Sequence, residues 1–193
     1  DVLNTLKCLK KLGIKIRILK NSCEIIGNGL NGFKYKKNIT LNAGNSGTLG
    51  RLISGLLIHS KTKIRIVGDR SLSKRDFSRV MKPLKEMGVN FYPKNKNTLP
   101  IFIKGSEYLR PINYLENKGS AQCKSCVMLS SLNVPGVTII KAKKSRDHTE
   151  RMFKNLKLPI KLNKGKNFDY IKLSNPKRIE KINMTIPGDI SSA

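Results

Sequence analysis

A helix-length pattern led by aspartate occurs three times along the 193 residues. Asp1 opens the stretch that closes at Gly13, Asp76 the stretch that closes at Gly88, and Asp147 the stretch in which Pro159 takes the closing place. The starts lie 75 and 71 residues apart, and the chain holds only six Asp. Leu3, Leu6, Leu9 and Leu12 fall on one stripe of a helix, as do Phe77, Val80, Met81, Leu84 and Met87, so each stretch reads as an amphipathic helix with one face for a core. An Asp at the start suits an N-cap or first turn, where a carboxylate meets unpaired amides and the positive end of the helix dipole. Gly13 and Gly88 suit the left-handed position just past a helix end.

A second motif recurs between these stretches. Gly44-Asn45-Ser46-Gly47-Thr48 precedes the apolar run Leu49 to Ile58, and Gly119-Ser120-Ala121-Gln122 precedes the run Cys123 to Leu132. Gly188-Asp189-Ile190-Ser191-Ser192 stands at the corresponding place after the third aspartate. Small residues of this kind open a helix and aim its backbone amides at an anion. Short segments rich in β-branched residues fill the gaps: Cys23 to Ile26, Ile39 to Leu41, Ile64 to Val67, Leu99 to Ile103, Val137 to Ile140 and Tyr170 to Leu173. The repeat predicts an α/β fold of βαβαββ units with pseudo-threefold symmetry. The turn and helix due before Asp1 and the helix due after Ser192 fall outside the sequence, so the units are not whole in number.

The formal charge of +27 raises nucleic-acid binding. Its make-up argues against that function. The 39 basic residues are 29 Lys and 10 Arg, with the Lys scattered along the chain, whereas Arg dominates base readout. Aromatic residues are 6% and Trp is absent, which leaves few stacking platforms. Cys123 and Cys126 have the spacing of a metal pair, but there is no second such pair, and His59 and His148 are isolated. The two cysteines therefore read as small half-buried residues on a helix, and no metal is expected. No apolar run reaches the length that spans a bilayer, and no secretory leader pattern opens the sequence. A soluble cytoplasmic protein is the expectation.

Five motifs carry a resemblance that covers nearly the whole chain. Leu41-Asn42-Ala43-Gly44-Asn45-Ser46-Gly47-Thr48, continued by Arg51-Leu52, is similar to the phosphoenolpyruvate loop of the EPSP synthase family of enolpyruvyl transferases. Gly68-Asp69-Arg70-Ser71-Leu72-Ser73-Lys74-Arg75, Ser120-Ala121-Gln122-Cys123-Lys124-Ser125, Ser145-Arg146-Asp147-His148-Thr149-Glu150-Arg151-Met152 and Pro187-Gly188-Asp189-Ile190-Ser191-Ser192-Ala193 resemble further motifs of that family, in the same order. Asp76 stands where the family commonly has Pro, Gly50 where a larger residue is usual, and Pro159 where Gly is usual. Asp76 is expected to soften the charge on Arg75.

The resemblance implies transfer of the enolpyruvyl group of phosphoenolpyruvate to the 5-hydroxyl of shikimate-3-phosphate, with release of phosphate. It implies a fold of two domains with the site between them. Residues 1–193 would be the N-terminal, shikimate-3-phosphate-binding domain, incomplete at its start, with the C-terminal domain and its catalytic groups outside the segment. Asn45, Gly47, Arg75 and Gln122 would bind phosphoenolpyruvate. Ser120, Ala121, Gln122, Ser145 and Arg146 would bind shikimate-3-phosphate. Asp189, Ser191 and Ser192 read as structural. The partners are small anions, with no nucleic acid, membrane, metal or cofactor implied, and the complete protein is expected to be a monomer. Alternatives are the sister enzyme acting on UDP-N-acetylglucosamine, a basic nucleic-acid-binding module, and a non-catalytic remnant.

Overall fold

The computed structural model describes residues 1–20, 22–179 and 185. Two topologically identical units follow a shorter opening one. In the first complete unit, strand β3 (Thr40–Asn42) leads into helix α2 (Gly47–Leu56) and the parallel strand β4 (Ile64–Val67). Helix α3 (Ser78–Glu86) and the antiparallel pair β5 (Asn90–Tyr92) and β6 (Ile101–Lys104) follow. The sheet order is β3-β4-β6-β5. In the second, β7 (Asn113–Glu116), α4 (Ala121–Ser131), β8 (Val137–Lys143), α5 (His148–Asn155), β9 (Ile160–Lys164) and β10 (Phe168–Ser174) repeat the scheme in the order β7-β8-β10-β9. The opening unit supplies the matching last three elements, α1 (Val2–Lys11), β1 (Lys15–Ile18) and β2 (Cys23–Ile26), the strands forming an antiparallel pair. These are the expected repeated βαβαββ units.

Alternation explains the sheets. Thr138, Ile140 and Ala142 of β8 and Asp169, Ile171 and Leu173 of β10 are buried, while the residues between them face solvent, as the two-residue period of a strand requires. The helices fall into two kinds. α1, α3 and α5 bury one stripe. α4 is buried over most of its length, from Cys123 to Met128, and packs against α2. A Cβ added to Gly55 of α2 would lie 2.5 Å from the Cys126 carbonyl oxygen, so that glycine sets how closely the two backbones approach. Their buried serines are satisfied inside the helices: Ser54 donates to Gly50 O, Ser130 to Cys126 O and Ser131 to Val127 O.

Several expectations need correction. Cys123 and Cys126 are fully buried, not half-buried, because α4 is an inner helix. Asp1 and Asp147 stand at N-caps without making the side-chain cap bond, and Asp76 precedes the N-cap, Phe77. The Asp76 carboxylate instead accepts from the Ser78 amide at 2.8 Å and the Ser78 hydroxyl at 2.6 Å. Gly13 and Gly88 do take left-handed conformations, at φ 85° and 111°. In the third helix the corresponding turn falls at Lys157, φ 52°, before Pro159 is reached. Gly50 leaves room for the buried Phe77 ring, which a Cβ there would meet at 3.2 Å. No helix among the described residues is long and apolar enough to cross a membrane.

Candidate functional site

The two inner helices run parallel and begin side by side. Ser46 caps α2 by accepting from the Leu49 amide at 3.2 Å, and Ser120 caps α4 by accepting from the Cys123 amide at 3.3 Å. Ahead of each cap a glycine takes positive φ, Gly44 at 58° and Gly119 at 70°. Three acceptors fix these turns. Asn42 Oδ1 takes the Gly44 amide at 2.8 Å, Asp69 Oδ1 takes the Leu72 amide at 2.7 Å, and Glu116 Oε2 takes the Ser120 amide at 2.9 Å. Asp69 also donates its own amide to Gly44 O at 2.8 Å, tying the Gly68–Arg75 loop to the turn before α2. Glu116, itself buried, is paired with Arg79 at 2.7 Å.

Around the two helix starts the motif residues meet. Gln122 accepts from Arg51 Nη1 at 2.5 Å and donates to Thr48 Oγ1 at 2.7 Å, so its amide bridges the first turns of α2 and α4. A Cβ built on Gly47 would lie 3.1 Å from Arg51 Nη1 and 3.2 Å from Arg75 Nη1. Two guanidinium tips thus approach one buried backbone position that carries no side chain. Arg51 is further braced by the Asp76 carbonyl at 3.5 Å and by the Phe77 ring, 5.4 Å below its guanidinium carbon. Among the described residues no ion pair involves Arg51 or Arg75. Asp76 turns toward Ser78, so the softening of Arg75 expected from it does not take the form of a contact.

The other residues of the expected site fall into two groups. Ser120, Ala121 and Gln122 form the cap and first turn of α4. Arg146 reaches the same helix through its backbone, its carbonyl accepting from Lys124 Nζ at 3.1 Å, while its side chain is exposed. Ser145 has a buried hydroxyl with no hydrogen-bond partner among the described residues. Asn45 sits exposed on the turn before α2, and His148 is an exposed first residue of α5. Asp189, Ser191 and Ser192 lie outside the described residues. Sequence reasoning assigned no role to Arg51 or Thr48. The signal was present for Arg51, since it follows Gly47 by four positions and so shares its helix face.

The arrangement suits anions: two helix starts, two arginines that form no ion pair among the described residues, and an orienting amide. It lies on an open face, with Asn45, Thr48, Arg75 and Arg146 exposed. A cavity of about 720 Å³ lies instead at the far end of α2, lined by Tyr35, Leu56, His59 and Thr62 among others, away from the motif residues. No group of three or more His, Cys, Asp or Glu among the described residues is placed to hold a metal ion.

Comparison with known proteins accords with this geometry. A family model described as EPSP synthase (3-phosphoshikimate 1-carboxyvinyltransferase) matches residues 1–193. The chain is 45% identical over 194 residues to the 3-phosphoshikimate 1-carboxyvinyltransferase of Vesicomyosocius okutanii, and 39% identical to that of Clostridium tetani. Each alignment takes in 100% of this chain and 43% of the relative. A solved EPSP synthase from Acinetobacter baumannii superposes with a TM-score of 0.85 at 36% identity, covering 98% of this chain and 42% of that one. The chain therefore spans less than half the length of the curated relatives it matches.

Proposed function

Because the chain belongs to the EPSP synthase family, we propose that it forms the N-terminal, shikimate-3-phosphate-binding wall of an enolpyruvyl transferase. The whole enzyme would move the enolpyruvyl group of phosphoenolpyruvate to the 5-hydroxyl of shikimate-3-phosphate and release phosphate. The observation that carries this reading is the approach of Arg51 and Arg75 to the bare backbone of Gly47, with Gln122 bonded to the first of them. Like charges gathered without an ion-pair partner among the described residues ask for an anion between them.

In this reading phosphoenolpyruvate lies against Asn45, Gly47, Arg75 and Gln122, with Arg51 orienting Gln122. Shikimate-3-phosphate lies against Ser120, Ala121, Gln122, Ser145 and Arg146, its phosphate on the α4 amides and the arginine. Addition of the hydroxyl to the enolpyruvyl carbon followed by loss of phosphate keeps anionic charge on both substrates throughout. Fixed cations and oriented amides are what this side of the cleft contributes. The proton-transfer groups would come from the other wall. A monomer working in the cytoplasm fits these small diffusible substrates. Exposed lysines sit on α1, α3 and β8 alike, as Lys10, Lys82 and Lys141, a dispersal that favours small anions over a nucleic-acid groove.

Titration calorimetry on this chain tests the proposal. Shikimate-3-phosphate should bind saturably, and Arg146→Met should weaken it about tenfold, the scale of one charged hydrogen bond. Absence of binding, or undiminished binding by Arg146→Met, would remove the assignment.

A further inference from the structure

Two of the sequence motifs contain residues that the proposed binding roles leave unused: Lys124-Ser125 in the first and Thr149-Glu150 in the second. They meet each other. Lys124 Nζ lies 2.5 Å from Glu150 Oε1, with both side chains 1% exposed. The same ammonium donates to the Arg146 carbonyl at 3.1 Å. One residue along, Ser125 Oγ and Thr149 Oγ1 share a hydrogen bond at 2.7 Å. The first turns of α4 and α5 and the Ser145-Arg146 loop between β8 and α5 are thus joined at three points, all beneath the exposed site.

An ion pair so placed is a poor device for stability alone. Taking both charges out of water costs more than most buried pairs return, and apolar residues of similar volume commonly hold a fold as well. Among the described residues the Glu150 carboxylate completes no directed hydrogen bond besides the ion pair, which deepens that cost. What an apolar pair could not do is donate to the Arg146 carbonyl. We infer that Lys124 and Glu150 are positioning residues. Glu150 holds the Lys124 ammonium in place, and the ammonium fixes the backbone at Arg146, so that its guanidinium and the α4 amides face one phosphate. The Ser125–Thr149 bond sets the spacing of the two helix starts. This rests on the proposed binding of shikimate-3-phosphate, with Arg146 a ligand and Lys124 acting through it.

Two variants separate positioning from packing. In the double variant Lys124→Met with Glu150→Leu, both charges leave together and the fold should survive, as circular dichroism and thermal unfolding would show. Thr149→Val is isosteric and removes only the hydroxyl bridge. Two readouts apply to each variant: calorimetric affinity for shikimate-3-phosphate, and hydrogen exchange of the Arg151 amide, which bonds to Asp147 O at 3.0 Å in the first turn of α5. The double variant should bind about tenfold more weakly, the scale of one charged hydrogen bond. Its Arg151 amide should exchange about tenfold faster, since a released helix start opens locally. Thr149→Val should move both readouts the same way by a smaller factor. Restoring a neutral donor, with Lys124→Gln and Glu150→Gln together, should recover most of the affinity. Folded variants with unchanged affinity and unchanged exchange overturn the inference, and Thr149→Val decides it if the apolar pair does not fold. If the unaltered chain binds no shikimate-3-phosphate, the proposed function falls, and the exchange of Arg151 alone then upholds or rejects the coupling.

Discussion

Gly47 shows how a residue defined by what it lacks can govern a site. Its nearest neighbours from an added Cβ would be the movable tips of Arg51 and Arg75, at 3.1 and 3.2 Å, and its φ is not positive. Gly47→Ala should therefore leave stability within about 1 kcal/mol of the parent, since a Gly-to-Ala change in a helix is favourable by at most about that amount and offsets the crowding. Anion binding at the site should weaken about tenfold or more, because both guanidinium tips must retreat. Chemical denaturation beside a phosphoenolpyruvate titration checks the split; equal losses in both would sink it. Asp76 carries a prediction of another kind. Its bonds from Ser78 outweigh burial and, with Lys82 and Arg51 nearby, hold its carboxyl below the ordinary value of 3.8. A depressed folded-state value stabilises above the unfolded one and is lost as pH falls through it. Asp76→Ala should cost about 1 kcal/mol at neutral pH through the lost Ser78 bonds. That difference should fade as pH drops below 3.8. Urea midpoints of both proteins across the acid range measure it, and a pH-independent gap would contradict it.

At the scale of elements, the third Asp-led helix is the informative one. α1 and α3 are followed by glycines at positive φ, whereas α5 is followed by Lys157 at φ 52°. A side chain in that conformation costs roughly 1 kcal/mol. Lys157→Gly should relieve it and raise stability by about 0.5–1 kcal/mol, less the added chain entropy of glycine. Thermal unfolding decides, and a lower midpoint would show that Lys157 is held by contacts worth more than the strain. Strands tell a related story. Cys23–Ile26 and Ile64–Val67 carry the β-branched signal and form as read. β5, β7 and β9 lack it. Asn113-Tyr114-Leu115-Glu116 becomes a strand because the β8 edge supplies its hydrogen bonds in parallel register, a partner that no local pattern announces.

For the whole molecule, the decisive quantity is length against its relatives, of which this chain spans 43%. One wall can hold an anion, yet general acid–base catalysis, typically ~10²–10⁴-fold, needs a group within hydrogen-bond reach, and closure of two walls adds positioning. Given both shikimate-3-phosphate and phosphoenolpyruvate, this chain alone should release no phosphate above background in a coupled assay. Measurable release would place the chemistry in this half and end the division of labour proposed above.

The aspartate and small-residue repeats determined the architecture by themselves. A period of about 70 residues with matched apolar stripes allows few folds, and the two complete units share one topology. The motifs likewise singled out Gly47, Arg75, Ser120, Gln122 and Arg146 as candidates, because the turns and caps around them are local chemistry. What remained for tertiary structure was every relation between distant segments. Gln122 reaches Arg51 across 71 positions and Thr48 across 74. Lys124 finds Glu150 inside the core, and Phe77 fills the space that Gly50 leaves. Contacts of that range are fixed by how the inner and outer helices pack, and helix packing depends on the shapes of both surfaces at once. No stretch of sequence states its partner's surface, so candidate residues could be read singly while the geometry that gathers them could not.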